Sequence, residues 1–220
     1  MDWLRQFFDI LIHLDRHLGE LIQRYDTWIY LIIFIVIFCE TGLVITPFLP
    51  GDSLLFALGL FAHPDRGNLN LALLLILLPL AAFSGDNVNY QVGKFVGPRV
   101  FHYEKSRLFK RKHLEKTHSF FEKYGGKTIV IARFVPIVRT FAPFVAGIGQ
   151  MSYPKFAAYC VFGAFFWVSF FVLGGYFFGG LEIVRKNFAI AVLVIITLSL
   201  LPAIIEFVKH RKRAKQKEES

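Results

Sequence analysis

Charged side chains set inside apolar sequence are the residues best placed to do chemistry in this chain. Arg133 and Arg139 share the stretch "ARFVPIVRTFAPFVAGIG" (132–149), while Glu40, Asp52 and Asp86 lie in earlier apolar segments. A charge at bilayer depth costs about 2.5–3.5 kcal/mol even on a permissive insertion scale, so each must face a cavity or a partner. On an unbroken helix a spacing of six turns two side chains about 240° apart, so the arginines would not converge. Pro136 lies between them and Pro143 beyond. Each proline removes a backbone donor and disfavours helix just before it, so a broken segment can aim both guanidiniums at one point. Two forked donors in a low-dielectric pocket suit a phosphate, which accepts bidentate hydrogen bonds, and backbone amides near Gly147 and Gly149 would add to them. The plainer reading has Arg133 and Arg139 neutralise Glu40 and Asp52 and staple the chain together. Both hold if the pairs open during a cycle: burial raises a carboxylate's pKa and a nearby arginine lowers it, which makes Glu40 and Asp52 natural proton carriers.

Other candidates carry less. In "SGDNVNYQVGKFVG" (84–97), helical spacing puts Asp86, Asn89, Tyr90 and Gly93 on one face. Small and polar residues also serve helix packing in membranes, so Asp86 and Tyr90 are supporting polar candidates only. His13 and His17 have helical i, i+4 spacing without a third ligand, and all seven histidines lie outside the apolar spans. No metal or other cofactor is expected. Cys39 and Cys160 sit in separate apolar segments and form neither a disulfide framework nor a zinc spacing. No nucleophile accompanies the arginines and no Gly-rich nucleotide loop is present, so the residues do not read as an enzyme.

The elements that must position these charges are membrane helices. Apolar residues make up 55% of the 220 and include 26 Phe, more than an ordinary soluble domain carries. Among the apolar runs at about 28–45, 53–62, 71–83, 128–149, 156–181 and 188–208, several approach the ~20 residues that cross a bilayer as helix. Residues 1–26 mix acids and bases and lack a cleavage site, so they are not a signal peptide. Leu4, Phe7, Phe8, Leu11, Leu14, Leu18, Leu21 and Tyr25 follow helical spacing instead, as in an amphipathic helix lying in the interface.

Charge then sets topology. The net charge of +9 is concentrated: 94–127 holds ten Lys or Arg against three acids, and "KHRKRAKQK" (209–217) holds six more. No groove-reading motif accompanies it, so nucleic acid is not the expected partner. Beside apolar spans it reads as positive-inside topology and attraction to anionic headgroups. Both basic clusters face the cytoplasm only if 128–150 dips in and returns. The same logic makes 46–62 re-entrant, 28–45 a full span, "HPDRGNLN" external and both termini cytoplasmic. The expected architecture is therefore an all-α polytopic membrane protein. It comprises an interfacial helix (1–26), a transmembrane domain (27–208) with two opposed re-entrant hairpins, and a basic cytoplasmic tail (209–220). The hairpin breaks fall at Pro47, Pro50, Gly51, Pro136, Pro143 and Gly147. "TPFLPG" (46–51) and "APFVAG" (142–147) share Pro, Phe and Gly, as inverted repeats would. Opposed repeats with broken helices are a transporter design whose site lies near the midplane.

Three segments, "FCETGLVITPFLPGDSLLF", "GDNVNYQVGKFVG" and "FFEKYGGKTIVIARFVPIVRTFAPFVAGIGQMSYPKFAAY", resemble the DedA family of bacterial membrane proteins, also called the SNARE-associated or VTT-domain family. The resemblance spans about residues 5–210. It implies an inner-membrane protein with opposed re-entrant hairpins that moves lipids between leaflets, above all undecaprenyl phosphate, with dependence on proton-motive force. The family's required acids correspond to Glu40 and Asp52, and its required arginines to Arg133 and Arg139. The implied partners are a polyprenyl phosphate or phospholipid and protons, with a homo-oligomer left open. A phospholipid scramblase and a non-transporting envelope scaffold remain as alternatives.

Overall fold

The computed structural model describes residues 14–43, 51–101, 126–134, 136–181 and 194. Residues 1–13, Pro47, Pro50, 102–125 of the basic segment, most of the 188–208 run and the 209–220 tail lie outside the described residues. Every regular element among those described is helical. α1 (Leu14–Tyr25) passes through a 3-10 turn, Asp26–Trp28, into α2 (Ile29–Gly42), and Asp26 takes a positive φ of 42° at that joint. α3 (Gly51–Phe61), α4 (Leu71–Phe101), α5 (126–132), α6 (Pro136–Ile148) and α7 (Tyr153–Gly179) follow. Leu18–Gly42, Leu71–Gly97 and Tyr153–Gly179 are long and apolar enough to cross a membrane, so the chain is a membrane protein with transmembrane helices. α3 is too short to do so: 11 residues rise only about 16 Å.

Specific contacts fix how the helices run. The Tyr30 hydroxyl accepts the Asn70 N–H at 2.7 Å, and Gly42 lies on the Gly85 backbone, so α2 runs alongside the first half of α4 in the same direction. α3 then turns back: Gly51 lies on the Glu40 carboxylate, and Phe61 reaches Gly19 of α1. α1 and the turn after α3 therefore share the end of the bundle at which α4 begins. At the other end Gly126 meets Tyr159, and Arg133 and Val130 meet Gly163, so α5 runs beside the start of α7 toward the middle. α6 returns along α4, with Phe144 at Gly93 and Ile148 at Gly97. The pairs α2–α3 and α5–α6 thus point their tips at one another, between α4 and α7. The expected 46–62 hairpin corresponds here to α3 alone as the returning arm, with α2 as its partner. Likewise, 28–45 was expected to separate α1 from "HPDRGNLN", yet α1 and that turn lie together.

Glycines make the two halves fit in matching ways. Gly59 faces the Val172 carbonyl and the Tyr176 amide, as Gly147 faces the Tyr90 carbonyl and the Lys94 amide. Gly175 faces the Phe56 backbone, as Gly93 faces that of Phe144. "FALG" (56–59) against "VLGGY" (172–176) is thus the counterpart of "FVAG" (144–147) against "YQVGK" (90–94). This register replaces the "TPFLPG"/"APFVAG" alignment suggested by sequence. Gly147→Val should destabilise the protein by about 1–3 kcal/mol through overpacking, whereas Gly174→Ala, with its nearest neighbours at 3.8 and 3.9 Å, should be neutral. Thermal unfolding in detergent would compare them.

Two of the expected breaks are corrected. Pro143 lies within α6 and Gly147 follows it in the same helix. Pro143 removes a single i→i−4 bond, which a helix packed along α4 tolerates, and the Gly147 position is demanded by close approach. The chain leaves the helix in a turn at 133–134, and Pro136 opens α6 at a position where its missing donor has no helical role. Gly51 opens α3. α6 ends in a Schellman-type cap: Met151 N–H donates to Ala146 O and Gln150 N–H to Gly147 O, with Gln150 at φ 53°.

Candidate functional site

The site forms where the two tips meet. Arg133 closes the turn after α5, its N–H reaching Val130 O at 3.3 Å, and Arg139 lies in the first turn of α6. The break between them removes the helical phase that would have held them apart. Both are almost wholly buried, at 3% and 5% exposure, as are Glu40 at 1%, Asp52 at 8% and Asp86 at 2%. Such burial requires pairing, because a lone charge away from water would cost several kcal/mol.

Arg139 takes one acid from α2 and one from α3. Its Nη2 donates to Glu40 Oε1 at the end of α2, and its Nη1 donates to Asp52 Oδ1 at 2.9 Å in the first turn of α3. Asp52 also benefits from the positive end of the α3 dipole. Trp167, fully buried on α7, completes the group. Its Nε1–H donates to the same Asp52 oxygen at 2.9 Å, and its ring lies 4.7 Å from Arg139 Cζ in a cation–π contact. One guanidinium therefore ties together α2, α3, α6 and α7.

Arg133 has a different partner from the one expected. It does not reach Glu40 or Asp52; its Nη2 donates to Asp86 Oδ2 on α4, to the Cys160 carbonyl at 3.2 Å and to Cys160 Sγ at 3.3 Å. The Cys160 thiol in turn donates to Asp86 Oδ2 at 3.1 Å. The two arginine groups are neighbours. Thr41 follows Glu40 and lies against Gly85, next to Asp86, and Asn89 Nδ2 donates to the Thr140 carbonyl at 2.6 Å. Several polar atoms nevertheless have no hydrogen-bond partner among the described residues: Arg133 Nε and Nη1, Arg139 Nε, Glu40 Oε2 and Asp86 Oδ1. Buried donors left open on two adjacent guanidiniums form a place where an oxyanion could be held.

Tyr90 does not join this network. Its hydroxyl donates to the Met151 carbonyl and its ring stacks on Phe156 at 4.2 Å, so it braces the cap between α6 and α7. The same α4 face carries Asp86 into the site and Tyr90 away from it, because four residues advance about 6 Å along the axis. Sequence reasoning missed Trp167, Thr41 and Thr140, and it considered Cys160 only for a disulfide or a zinc spacing. One signal was available for Trp167: an indole N–H buried in a Phe-rich span needs an acceptor. No group of three or more His, Cys, Asp or Glu among the described residues is placed to hold a metal ion.

Comparison with known proteins adds to this geometry. The VTT domain matches residues 49–177, a stretch that includes Asp52, Asp86, Arg133, Arg139 and Trp167. The chain is 50% identical to Protein DedA of Escherichia coli strain K12 over 97% of its own length and 98% of that protein. It is 43% identical to an uncharacterized membrane protein of Mycobacterium tuberculosis, over 79% of this chain and 76% of the relative. Identity to the inner membrane protein YqjA of Escherichia coli strain K12 is 31%, over 72% and 71% of the two chains. No solved structure matches.

Proposed function

The chain belongs to the VTT-domain family, also called the DedA family, and on that premise we propose that it is a lipid transporter of the bacterial inner membrane. In this reading it carries undecaprenyl phosphate, or a related anionic phospholipid, between leaflets. Arg133 and Arg139 hold the phosphate, the lipid tail stays in hydrocarbon, and Glu40 and Asp52 couple the crossing to protons. The observation that carries the reading is the set of open donor nitrogens on two buried arginines, Arg139 facing Glu40 and Asp52 of the α2–α3 pair and Arg133 facing Asp86 of α4. A phosphate entering there would displace carboxylates, and a displaced buried carboxylate is tolerated best when it takes up a proton. No covalent step is needed, so the protein acts without enzymatic chemistry.

The proposal includes the membrane topology. α2–α3 and α5–α6 are re-entrant hairpins of inverted repeats, entering from opposite faces, and α1 lies in the interface. The helix ends that carry Glu40, Asp52, Arg133 and Arg139 would be tolerated at depth because these charges are buried in protein around a polar site. With the basic 94–127 segment cytoplasmic, α5–α6 enters from the cytoplasm, α2–α3 enters from outside, and α1 lies at the outer face. This places α1 opposite the cytoplasmic side that charge alone suggests for the N-terminal helix; most of the 188–208 run and the basic tail lie outside the described residues. In a Cys39→Ser background, Asp65→Cys should react with an impermeant reagent in intact cells, and Gln150→Cys should react only after permeabilisation. Labelling of both from outside would defeat the opposed arrangement.

Reconstitution tests the function. Proteoliposomes should move labelled undecaprenyl phosphate across the bilayer faster than protein-free vesicles, and an imposed proton gradient should change the rate. Faster movement of ordinary phospholipids alone would favour a scramblase. A folded, monodisperse protein that accelerates neither lipid would end the transport reading. A second reading, a non-transporting envelope scaffold, draws on the observation that Glu40, Asp52 and Asp86, the buried acids among the described residues, each already have an arginine partner.

A further inference from the structure

We propose that Trp167 is a positioning residue that lets Arg139 exchange a carboxylate for a lipid phosphate without leaving either charge bare; this deepens the transport reading and rests on it. Asp52 Oδ1 accepts two hydrogen bonds of equal length, 2.9 Å, one from Arg139 Nη1 and one from Trp167 Nε1. When Arg139 turns toward a phosphate, the indole N–H stays on Asp52, because Trp167 and Asp52 belong to the α3–α7 pair, locked by Gly59 on Val172 and Gly175 on Phe56. The indole face meanwhile continues to stabilise the guanidinium, whose Cζ lies 4.7 Å from the ring centre. Trp167 is wholly buried, so its indole N–H and ring face are committed to these two charges rather than to solvent. A phenylalanine would supply the ring face and nothing to Asp52. An aliphatic side chain would supply neither.

The two contributions separate in transport kinetics. Trp167→Phe should hold the lipid content for half-maximal transport within about twofold, because a ring still faces Arg139, while lowering the maximal rate roughly tenfold through loss of the bond that steadies Asp52. Trp167→Leu should lower the rate and also raise the half-saturating lipid content about tenfold or more. Protein with Trp3 and Trp28 changed to Phe reports on Trp167 directly: its fluorescence should change when a short-chain phosphatidic acid is added in detergent. Phe and Leu variants that behave alike, or that match wild type, would overturn the exchange role while leaving transport intact. The same holds for unchanged fluorescence while calorimetry shows the lipid binding. If the wild-type protein moves and binds no phosphate lipid at all, it is the transport reading that falls. Should Trp167→Leu fail to fold, Trp167→Phe against wild type still decides, since only the proposed role separates rate from half-saturation.

Discussion

Arg139→Gln should abolish lipid transport in proteoliposomes and lower the protein's stability by about 3–5 kcal/mol, the largest effect expected of any single substitution here. The cause is the geometry of one guanidinium. Arg139 is the cation bonded to both Glu40 and Asp52, and those acids lie at 1% and 8% exposure. Without it, two carboxylates that reach it from α2 and α3 are left close together in a low-dielectric interior. They must then take up protons or drag water into the bundle. A triple variant, Glu40→Gln, Asp52→Asn and Arg139→Gln, removes the uncompensated charge and should recover much of the stability without recovering transport. Separating the two outcomes matters, because a scaffold would need only the stability. Thermal unfolding and the transport rate, measured on the same preparations, check both. Wild-type transport by Arg139→Gln would exclude phosphate holding at this position.

Arg133→Lys probes the other half of the site and divides transport from stapling. A lysine ammonium can retain the bond to Asp86 and the charge balance, so unfolding should change by no more than about 1 kcal/mol. It cannot present the planar fork whose Nε and Nη1 lack partners among the described residues. If those nitrogens hold the phosphate, each charge-assisted bond lost is worth about 1.5–3 kcal/mol, so transport should fall at least roughly tenfold. Full activity in a normally folded Arg133→Lys protein would exclude bidentate phosphate holding at this position and leave the arginine only to neutralise Asp86. The Asp86→Asn variant complements it. Removing that acid leaves Arg133 buried with the Cys160 carbonyl and thiol as its remaining contacts, and the expected result is a loss of stability comparable to that of Arg139→Gln.

Much of the candidate site could be read before any coordinates. The cost of burying charge singled out Glu40, Asp52, Asp86, Arg133 and Arg139, and all five meet at the centre of the bundle. The pairing could not be read, because it depends on which helix lies across from which. Asp86 rather than Glu40 faces Arg133 because α5 ends beside α4 and α7, and nothing in the spacing of "ARFVPIVRT" carries that information. Tyr90 shares a helical face with Asp86 in sequence, but one turn along the axis is enough to place it against Met151 and Phe156 instead of in the site.

Prolines show the same limit. Pro136 and Pro143 look alike in a sequence, yet one opens α6 and the other lies inside it, since a helix packed along its length survives a single missing backbone bond. The short echo of Pro, Phe and Gly pointed to related halves but in the wrong register. The true correspondence is written in the glycines, whose missing side chains matter only where another backbone presses against them. Hydropathy and charge are properties of each residue and its chain neighbours, so sequence alone determined that this is a helical membrane protein with ionisable groups at its heart. Which acid meets which arginine, that Trp167 stands between Asp52 and Arg139, and which ends of the helices lie together were decided by long-range packing. Those contacts join residues up to 115 positions apart, a separation over which no local periodicity survives.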